Sequence, residues 1–436
     1  MKIGYLTFGR DDLGYGLAVC LDSLKKHDLY RITPKTAKHV DVLLFSCFWW
    51  EHIYLLADFL RRAGVHKGGR PRVIVGGFNT FNPVPFQSYA DAVICGDGEE
   101  ILSAVLDNAA EPGLQWNNVN LLQAFCHETN GIARIEITRG CRYRCRFCAV
   151  SHLKPYRETP VEEIEKALRS TKLKRVSLFA PEPTMHSADK EIITICHRLG
   201  KVRVDSDVRL DRLSKRSDSV PRVGIEGLSE RLRKSINKPY SNQQIIEAVS
   251  DAIKQGRKGL FMYIILDLPG ETNQDWTEFG ELLSEIGKLP GAGSFLLKPS
   301  PSVFMPSPHT PMEFEAINWD KPYREIWKSF FGRGEDRDWD VVMAERSRVL
   351  SPAMRVLSML ATRSGEEFHG IERELTRTRA IRIAGGRVKC NSEKKLIWIL
   401  EKFGGVEKWT GHRDESTALW KSLFLQKSKK EENHER

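Results

Sequence analysis

Thr138-Arg139-Gly140-Cys141-Arg142-Tyr143-Arg144-Cys145-Arg146-Phe147-Cys148 places three cysteines with three and then two residues between them. The apolar alternation just before it predicts a strand over 135–138 that delivers the cysteines on a loop. Thiolates are the soft ligands that iron–sulfur clusters need. One loop with this spacing can wrap three irons, which leaves a fourth iron open to a small molecule. Arg139, Arg142, Arg144 and Arg146 add positive charge around such an anionic group. The competing reading is structural zinc, which wants four ligands, with His152 as the fourth. The other six cysteines, Cys20, Cys47, Cys95, Cys126, Cys196 and Cys390, are scattered. An odd total without a secretion signal argues against a disulfide framework.

Working outward, the pattern repeats strand then helix. Strands are expected over 176–180, 202–205, 222–225, 260–266 and 295–297. Helices are expected over 161–170, 190–199, 242–255 and 275–287, the first capped by Thr159-Pro160. With the strand at 135–138, six repeats predict a full or partial (β/α)6 barrel over 132–315, with active residues at the carboxyl ends of its strands. Residues 299–314 are rich in Pro and Ser and are expected to resist regular structure. Upstream, short apolar strands over 3–8, 42–45, 73–75 and 92–94 alternate with helices, notably over 52–63. They predict a separate parallel-sheet domain over 1–110. Gly76-Gly77 and the Gly96-Asp97-Gly98-Glu99 turn follow two of those strands, where open α/β sheets bind ligands. Residues 111–131 read as a linker and 316–436 as a mainly helical module. The class is α/β.

The net charge of +10 is compatible with nucleic acid, anionic cofactors or lysine-rich edges. No apolar run reaches the roughly 18 residues of a membrane span. The amino terminus runs directly into a strand without a signal peptide, so a cytoplasmic protein is expected. Cys47-Phe48-Trp49-Trp50 either stacks on a flat ligand or packs between domains. Arg346, Arg348, Arg355, Arg363, Arg373, Arg377, Arg379 and Arg382 either contact phosphates or form solvated helix faces.

The Cys141–Cys148 motif, with Phe147 before its last cysteine, resembles the CxxxCxxC signature of radical S-adenosylmethionine (SAM) enzymes. The Gly224-Ile225-Glu226 segment followed by Ser235-Ile236-Asn237-Lys238, and Leu268-Pro269-Gly270-Glu271-Thr272, resemble further segments of that family, so the likeness covers about residues 131–315. It implies a [4Fe–4S] cluster on Cys141, Cys145 and Cys148, SAM chelated at the open iron, and reductive cleavage to a 5′-deoxyadenosyl radical. An electron donor such as flavodoxin or ferredoxin is implied with it. By the same likeness Phe147 packs near the adenine. Glu182 stands where the family has a glycine-rich segment and would hold the SAM amino group, although the two glycines are absent. Arg209 and Glu226 are polar SAM contacts or members of rim ion pairs.

The N-terminal region resembles the Rossmann-like cobalamin-binding domain fused to many such enzymes. Gly76, Gly77 and Thr80 match only part of one motif, with Thr80 one residue early, whereas Asp91 through Gly96, Gly98 and Glu99 match a second in full. The Phe295–Phe314 stretch, with Pro308-His309-Thr310-Pro311, is similar to a third. The resemblance implies cobalamin without a protein ligand to cobalt, or a domain that only shapes the substrate pocket. A cobalamin-dependent methyltransferase and a cobalamin-independent isomerase or modifying enzyme acting on nucleic-acid bases both remain open. So does a zinc-stabilised nucleic-acid-binding protein. Transfer-RNA methylthiotransferases share this layout but need three more cysteines; Arg10 and Gly77 stand at two of those positions, leaving Cys47 alone.

Overall fold

The computed structural model describes residues 1–8, 13–107, 113–117, 122, 124–204, 207–215, 220–331, 351–384 and 386–413. In the N-terminal domain the order is β1 (Lys2–Thr7), α1 (Tyr15–Ser23), β2 (Asp28–Arg31), β3 (Val42–Ser46), α2 (His52–Ala63), β4 (Arg72–Gly76), α3 (Val84–Gln87), β5 (Ala92–Gly96), α4 (Ile101–Leu106) and β6 (Gly113–Asn117). The six strands form one parallel sheet in the order β2-β1-β3-β4-β5-β6. Val42–Phe45 is buried throughout, as a strand covered on both faces must be. Two strands were not anticipated. β2 is mostly exposed and carries no apolar alternation. β6 lies inside the stretch expected as linker, and it pairs with β5.

The second unit runs β7 (His127–Thr129), β8 (Ile132–Glu136), β9 (Thr138–Arg139), α5 (Ala149–Leu153), β10 (Arg157–Glu158), α6 (Val161–Ser170), β11 (Arg175–Phe179), α7 (Asp189–Arg198), β12 (Val202–Arg203), β13 (Asp207–Val208), β14 (Arg222–Glu226), α8 (Glu230–Ser235), α9 (Asn242–Lys254), β15 (Gly259–Leu266), α10 (Asn273–Gly287) and β16 (Leu296–Val303). Parallel strands β12-β11-β8 form one sheet, with β7 antiparallel on its edge, and β13-β14-β15-β16 form another. Asp205, expected in the third barrel strand, lies outside the described residues. The expectation that residue 299 onward resists regular structure is corrected: β16 continues to Val303 through Pro299 and Pro301. Among the described residues β16 pairs only with β15. Leu296 and Phe304 donate their N–H groups toward β15. Pro299 and Pro301, at odd offsets from them, therefore place their missing donors on the unpaired side, where proline is tolerated.

The C-terminal module contains α11 (Tyr323–Phe331), α12 (Pro352–Arg363), α13 (Phe368–Arg377), α14 (Glu393–Glu401) and α15 (Glu407–Thr410), plus a hairpin of β17 (Ile381–Ala384) and β18 (Arg387–Cys390) that interrupts the expected helical run. It is wedged against both other units. Tyr54 of α2 donates to Leu357 O at 2.9 Å and meets the Phe368 ring edge-on. Asn82 donates to Ser364 O at 2.8 Å. On the barrel side, buried Asp267 at the end of β15 accepts from the Arg355 guanidinium, from Asn318 and from Tyr323 Oη at 2.6 Å. Arg363 donates to the carbonyls of Glu313, Glu315, Trp409 and Gly411. These two arginines are buried, which corrects both readings offered for them: they neither reach phosphates nor lie on solvated faces. Arg346 and Arg348 lie outside the described residues.

Removing one partner of a buried ion pair strands the other charge. Arg355→Met is therefore expected to cost about 3–5 kcal/mol, read by equilibrium denaturation. A pH effect follows from Glu271, which accepts from Asp267 N at 2.8 Å and Trp276 Nε1 at 3.0 Å. Burial pushes its carboxyl up to about 7. The folded chain then holds a proton that the unfolded chain releases near the ordinary carboxyl range. Stability from this group is full at low pH and falls as pH rises toward 7, by at most about 1.4 kcal/mol per unit. Glu271→Gln should flatten that decline in denaturation midpoints measured from pH 4.5 to 8.

Candidate cluster loop and interdomain cavity

The cysteine loop begins at the carboxyl end of β8 and β9. Gly140 has φ +74°, and an added Cβ there would collide with the Pro155 carbonyl, so a side chain is excluded one residue before Cys141. The far side of the loop is clamped by the segment after α8. Arg146 N–H donates to Ile236 O at 3.0 Å and its guanidinium to Ser235 O at 3.1 Å. Asn237 donates from Nδ2 to Arg144 O at 2.8 Å, with its own φ at +58°. Buried Arg233 fixes α8 in turn by donating to the carbonyls of Gly227, Leu228 and Tyr240.

Cys141, Cys145 and Cys148 lie close enough that their thiols oppose one another's ionisation. Burial pushes Cys141 up to about 11 and raises the other two. Acting against burial are the backbone N–H groups of Tyr143 on Cys141 and of Val150 and Ser151 on Cys148, together with the charges of Arg209 and Lys238. Each of the three thiols has hydrogen-bond donors or cations beside it, the surroundings that suit thiolate ligands of a cluster. His152 is not presented as a fourth ligand. Its Nε2 is 3.1 Å from Cys145 O and its Nδ1 3.4 Å from the Arg144 guanidinium.

Of the residues singled out for SAM, Glu226 and Lys238 form an ion pair at 2.9 Å beside Cys145. Glu226 has φ +68° at a register shift that ends β14. Arg209 stacks 3.5 Å over the Tyr143 ring, inside the cysteine loop. Its backbone N–H reaches Glu182 Oε2 at 2.6 Å. Glu182 is buried, and its Oε1 accepts from Thr184 N and Oγ1. Phe147 is partly buried against the main core.

Beside this loop lies a cavity of about 540 Å³ between the two α/β units. One wall is the carboxyl edge of the N-terminal sheet: Thr7 of β1, Ser46 of β3, Gly76 of β4 and Gly96 of β5. The neighbouring strands β1 and β3 are where the order reverses, the point at which doubly wound sheets bind ligands. The opposite wall comprises Glu136, Thr138, Arg139, Gly140, Lys154 and Phe179-Ala180-Pro181. Seven glycines line the space: Gly14, Gly16, Gly76, Gly77, Gly96, Gly98 and Gly140. Gly77, at φ +109°, would set a Cβ 2.7 Å from Cys47 O. Thr80 lies behind the wall, its hydroxyl facing Gly77 O and Ile94 O at 2.8 and 2.9 Å. Among the described residues, the hydroxyls of Thr7 and Thr138 are buried without a hydrogen-bond partner. A glycine-lined space of this size fits a large ligand that the backbone can approach closely. Phe48, Trp49, Phe78 and Phe81 also line it. Phe48 and Trp49 are 47% and 48% exposed, so these two rings are not packed between domains; only Trp50 packs partly on the core.

The feature the sequence reading missed joins the two walls. Asp97, in the turn after β5, accepts from Arg139, Lys154 and Arg157 at 3.0, 2.6 and 2.8 Å. Burial opposes its ionisation, but Lys154 and Arg139 outweigh that and hold its carboxyl at about 2. Arg139 also meets Glu99 at 2.7 Å and Glu136 at 2.6 Å. The acidic turn was visible in the sequence as a ligand-binding motif, with nothing to mark its carboxylates as partners of the cysteine loop.

Residues 135–283 match the radical SAM superfamily model, and residues 34–132 match the N-terminal domain of radical SAM proteins. An uncharacterized protein of Methanocaldococcus jannaschii, MJ0966, is 29% identical over 200 residues, covering 42% of this chain and 43% of the relative. The ribosomal protein uS12 methylthiotransferase RimO of Chlamydia pneumoniae is 23% identical over 275 residues, covering 55% of this chain and 58% of the relative. The chain thus spans about half the length of these relatives. The cobalamin-dependent SAM radical enzyme OxsB, with aqua-cobalamin and SAM bound, aligns at a TM-score of 0.46 and 14% identity, over 98% of this chain and 75% of that one.

Asn237 offers a test of the loop clamp. Asn237→Ala loses the bond to Arg144 O and puts alanine in the left-handed region, at a cost of about 2–3 kcal/mol. Asn237→Gly keeps the backbone conformation and should lose only about 1 kcal/mol. Hydrogen exchange at the amides of residues 144–148 should quicken in both.

Proposed function

We propose that this chain, whose residues 135–283 match the radical SAM superfamily model, is an enzyme that cleaves SAM reductively at a [4Fe–4S] cluster on Cys141, Cys145 and Cys148 and modifies its substrate with cobalamin bound in the interdomain cavity. The observation that carries this reading is the placement of the cysteine loop on the cavity wall: Gly140, adjacent to Cys141, lines the same space as the carboxyl edge of the N-terminal sheet. When bound, the cluster supplies the electron that splits a carbon–sulfur bond of SAM, and the corrin supplies a methyl group.

The protein's own part is to hold and shield. Arg209 and Lys238 offset negative charge at the thiolates, and the Glu226–Lys238 pair and Arg209 border the place where SAM would meet the cluster. The glycine wall lets backbone approach a broad ligand closely. Exposed Phe48 and Trp49 form an apolar rim. The likeness to RimO does not bring a second cluster with it, because Arg10 and Gly77 stand where two of the extra cysteines would be needed. Arg10 lies outside the described residues.

Anaerobic reconstitution with iron and sulfide, then SAM and dithionite, should yield 5′-deoxyadenosine, and Cys145→Ser should abolish it. Absence of the product from the reconstituted wild type would sink the reading. Hydroxocobalamin should remain with the protein through gel filtration, seen by corrin absorbance. A Cβ added at Gly16 meets nothing within 4 Å, so Gly16→Leu should project into the cavity and lower that retention at unchanged melting temperature. Wild type that makes 5′-deoxyadenosine but retains no corrin would leave a cobalamin-independent radical enzyme.

A further inference from the structure

Arg139 sits two residues before Cys141 and is held by carboxylates from both sides of the cavity. Glu136 ends the preceding strand β8, whereas Asp97 and Glu99 come from the N-terminal domain. Asp97 is fully buried at its side chain and binds two further cations of the barrel unit, Lys154 and Arg157. Both follow the cysteine loop: Lys154 caps α5, which starts at Cys148, and Arg157 lies on β10, paired with Arg139 on β9. One carboxylate of the first domain thus gathers the strand entering the loop and the two segments leaving it.

The charges balance, with Arg139, Lys154 and Arg157 against Asp97, Glu99 and Glu136. Taking away Asp97 would leave a net positive charge beside the loop in a partly buried setting, where charges interact more strongly than in water. A cluster gains negative charge when reduced, so uncovered cations nearby would favour its reduced form.

We propose that Asp97 is a positioning residue for the cluster, acting through Arg139: the N-terminal domain fixes where the cysteine loop starts and sets the charge beneath it. The proposal rests on the reading of Cys141, Cys145 and Cys148 as cluster ligands. It makes the first domain part of the redox centre, besides being a wall of the cavity.

The test is a redox titration of the reconstituted full chain, without SAM or cobalamin, with dithionite delivering one electron per cluster and electron paramagnetic resonance reading the reduced form. Asp97→Asn keeps the shape and removes the charge. Expected is a roughly tenfold higher ratio of reduced to oxidised cluster at a fixed potential, equivalent to about 59 mV upward for one electron, with an altered line shape. Glu99→Gln, which removes a partly exposed carboxylate from the same guanidinium, should move the potential the same way by less. Asp97→Glu should restore much of the wild-type value. A folded Asp97→Asn protein with wild-type potential and line shape would overturn the proposal and leave Asp97 a tether between domains. If Asp97→Asn does not fold, Glu99→Gln decides: no shift overturns the proposal. Failure of the wild type to take up iron and sulfide, seen by missing cluster absorbance, would instead defeat the ligand assignment beneath it.

Discussion

Two α/β units need a reason to face each other in one orientation, and Asp97 supplies it. A carboxylate withdrawn from water carries a desolvation cost of several kcal/mol unless cations meet it at hydrogen-bond distance. Here three do, and all belong to the second unit. Apolar contact is tolerant of small rotations, whereas a buried carboxylate with three partners is not. The same contact places the carboxyl edge of the N-terminal sheet opposite the cysteine loop, which creates the cavity. The C-terminal module reinforces the arrangement from behind, through Tyr54 and Asn82 on one side and the Asp267–Arg355 pair on the other.

Much of this architecture was legible because burial on both faces leaves an unambiguous record. Val42–Ser46 and Gly259–Leu266 are apolar runs of strand length, and the helix expected over 242–255 forms as α9, closed in the structure by a Ser241/Gln244 capping box. What escaped notice lacked that record. β2 lies on the sheet edge with exposed side chains, so no apolar pattern marks it. β6 exists through its pairing with β5, a partner that local sequence does not reveal. Pro299 and Pro301 read as breakers because the side of β16 on which their missing donors fall is a property of the sheet. The hairpin of β17 and β18 hid inside a segment dominated by helical spacing.

The site divides in the same way. The cysteine loop was legible because presenting three thiols from one loop fixes their spacing in the chain. Gly76, Gly77, Gly96 and Gly98 were legible because strand ends in such sheets meet ligands, and all four line the cavity. Asp97 was not, since Lys154 and Arg157 lie 57 and 60 residues downstream. Polar motif residues also turn out to serve the scaffold. Thr80 ties the turn after β4 to β5, Glu182 holds the backbone of Thr184 and Arg209, and Asn237 holds the loop at Arg144. A motif reports that a residue type is needed at a position; the hydrogen bonds decide whether ligand or backbone needs it.

Charge makes the point from the opposite direction. A net charge of +10 invites a search for a polyanionic partner, and the arginines of the C-terminal module were natural candidates. Arg355 and Arg363 are instead buried and spend their donors on Asp267 and on backbone carbonyls. Arg377 pairs with Glu374 on its own helix. Near the cavity, Arg139, Lys154 and Arg157 are matched by Asp97, Glu99 and Glu136. Formal charge counts the buried members of this set as if they faced solvent, whereas their electrostatic work is internal. The quantity that bears on ligand choice is the charge left unmatched at the cavity wall, and there the lining is mainly glycine, aromatic and aliphatic. Such a wall selects for a broad, largely apolar ligand that the glycine backbone can approach closely.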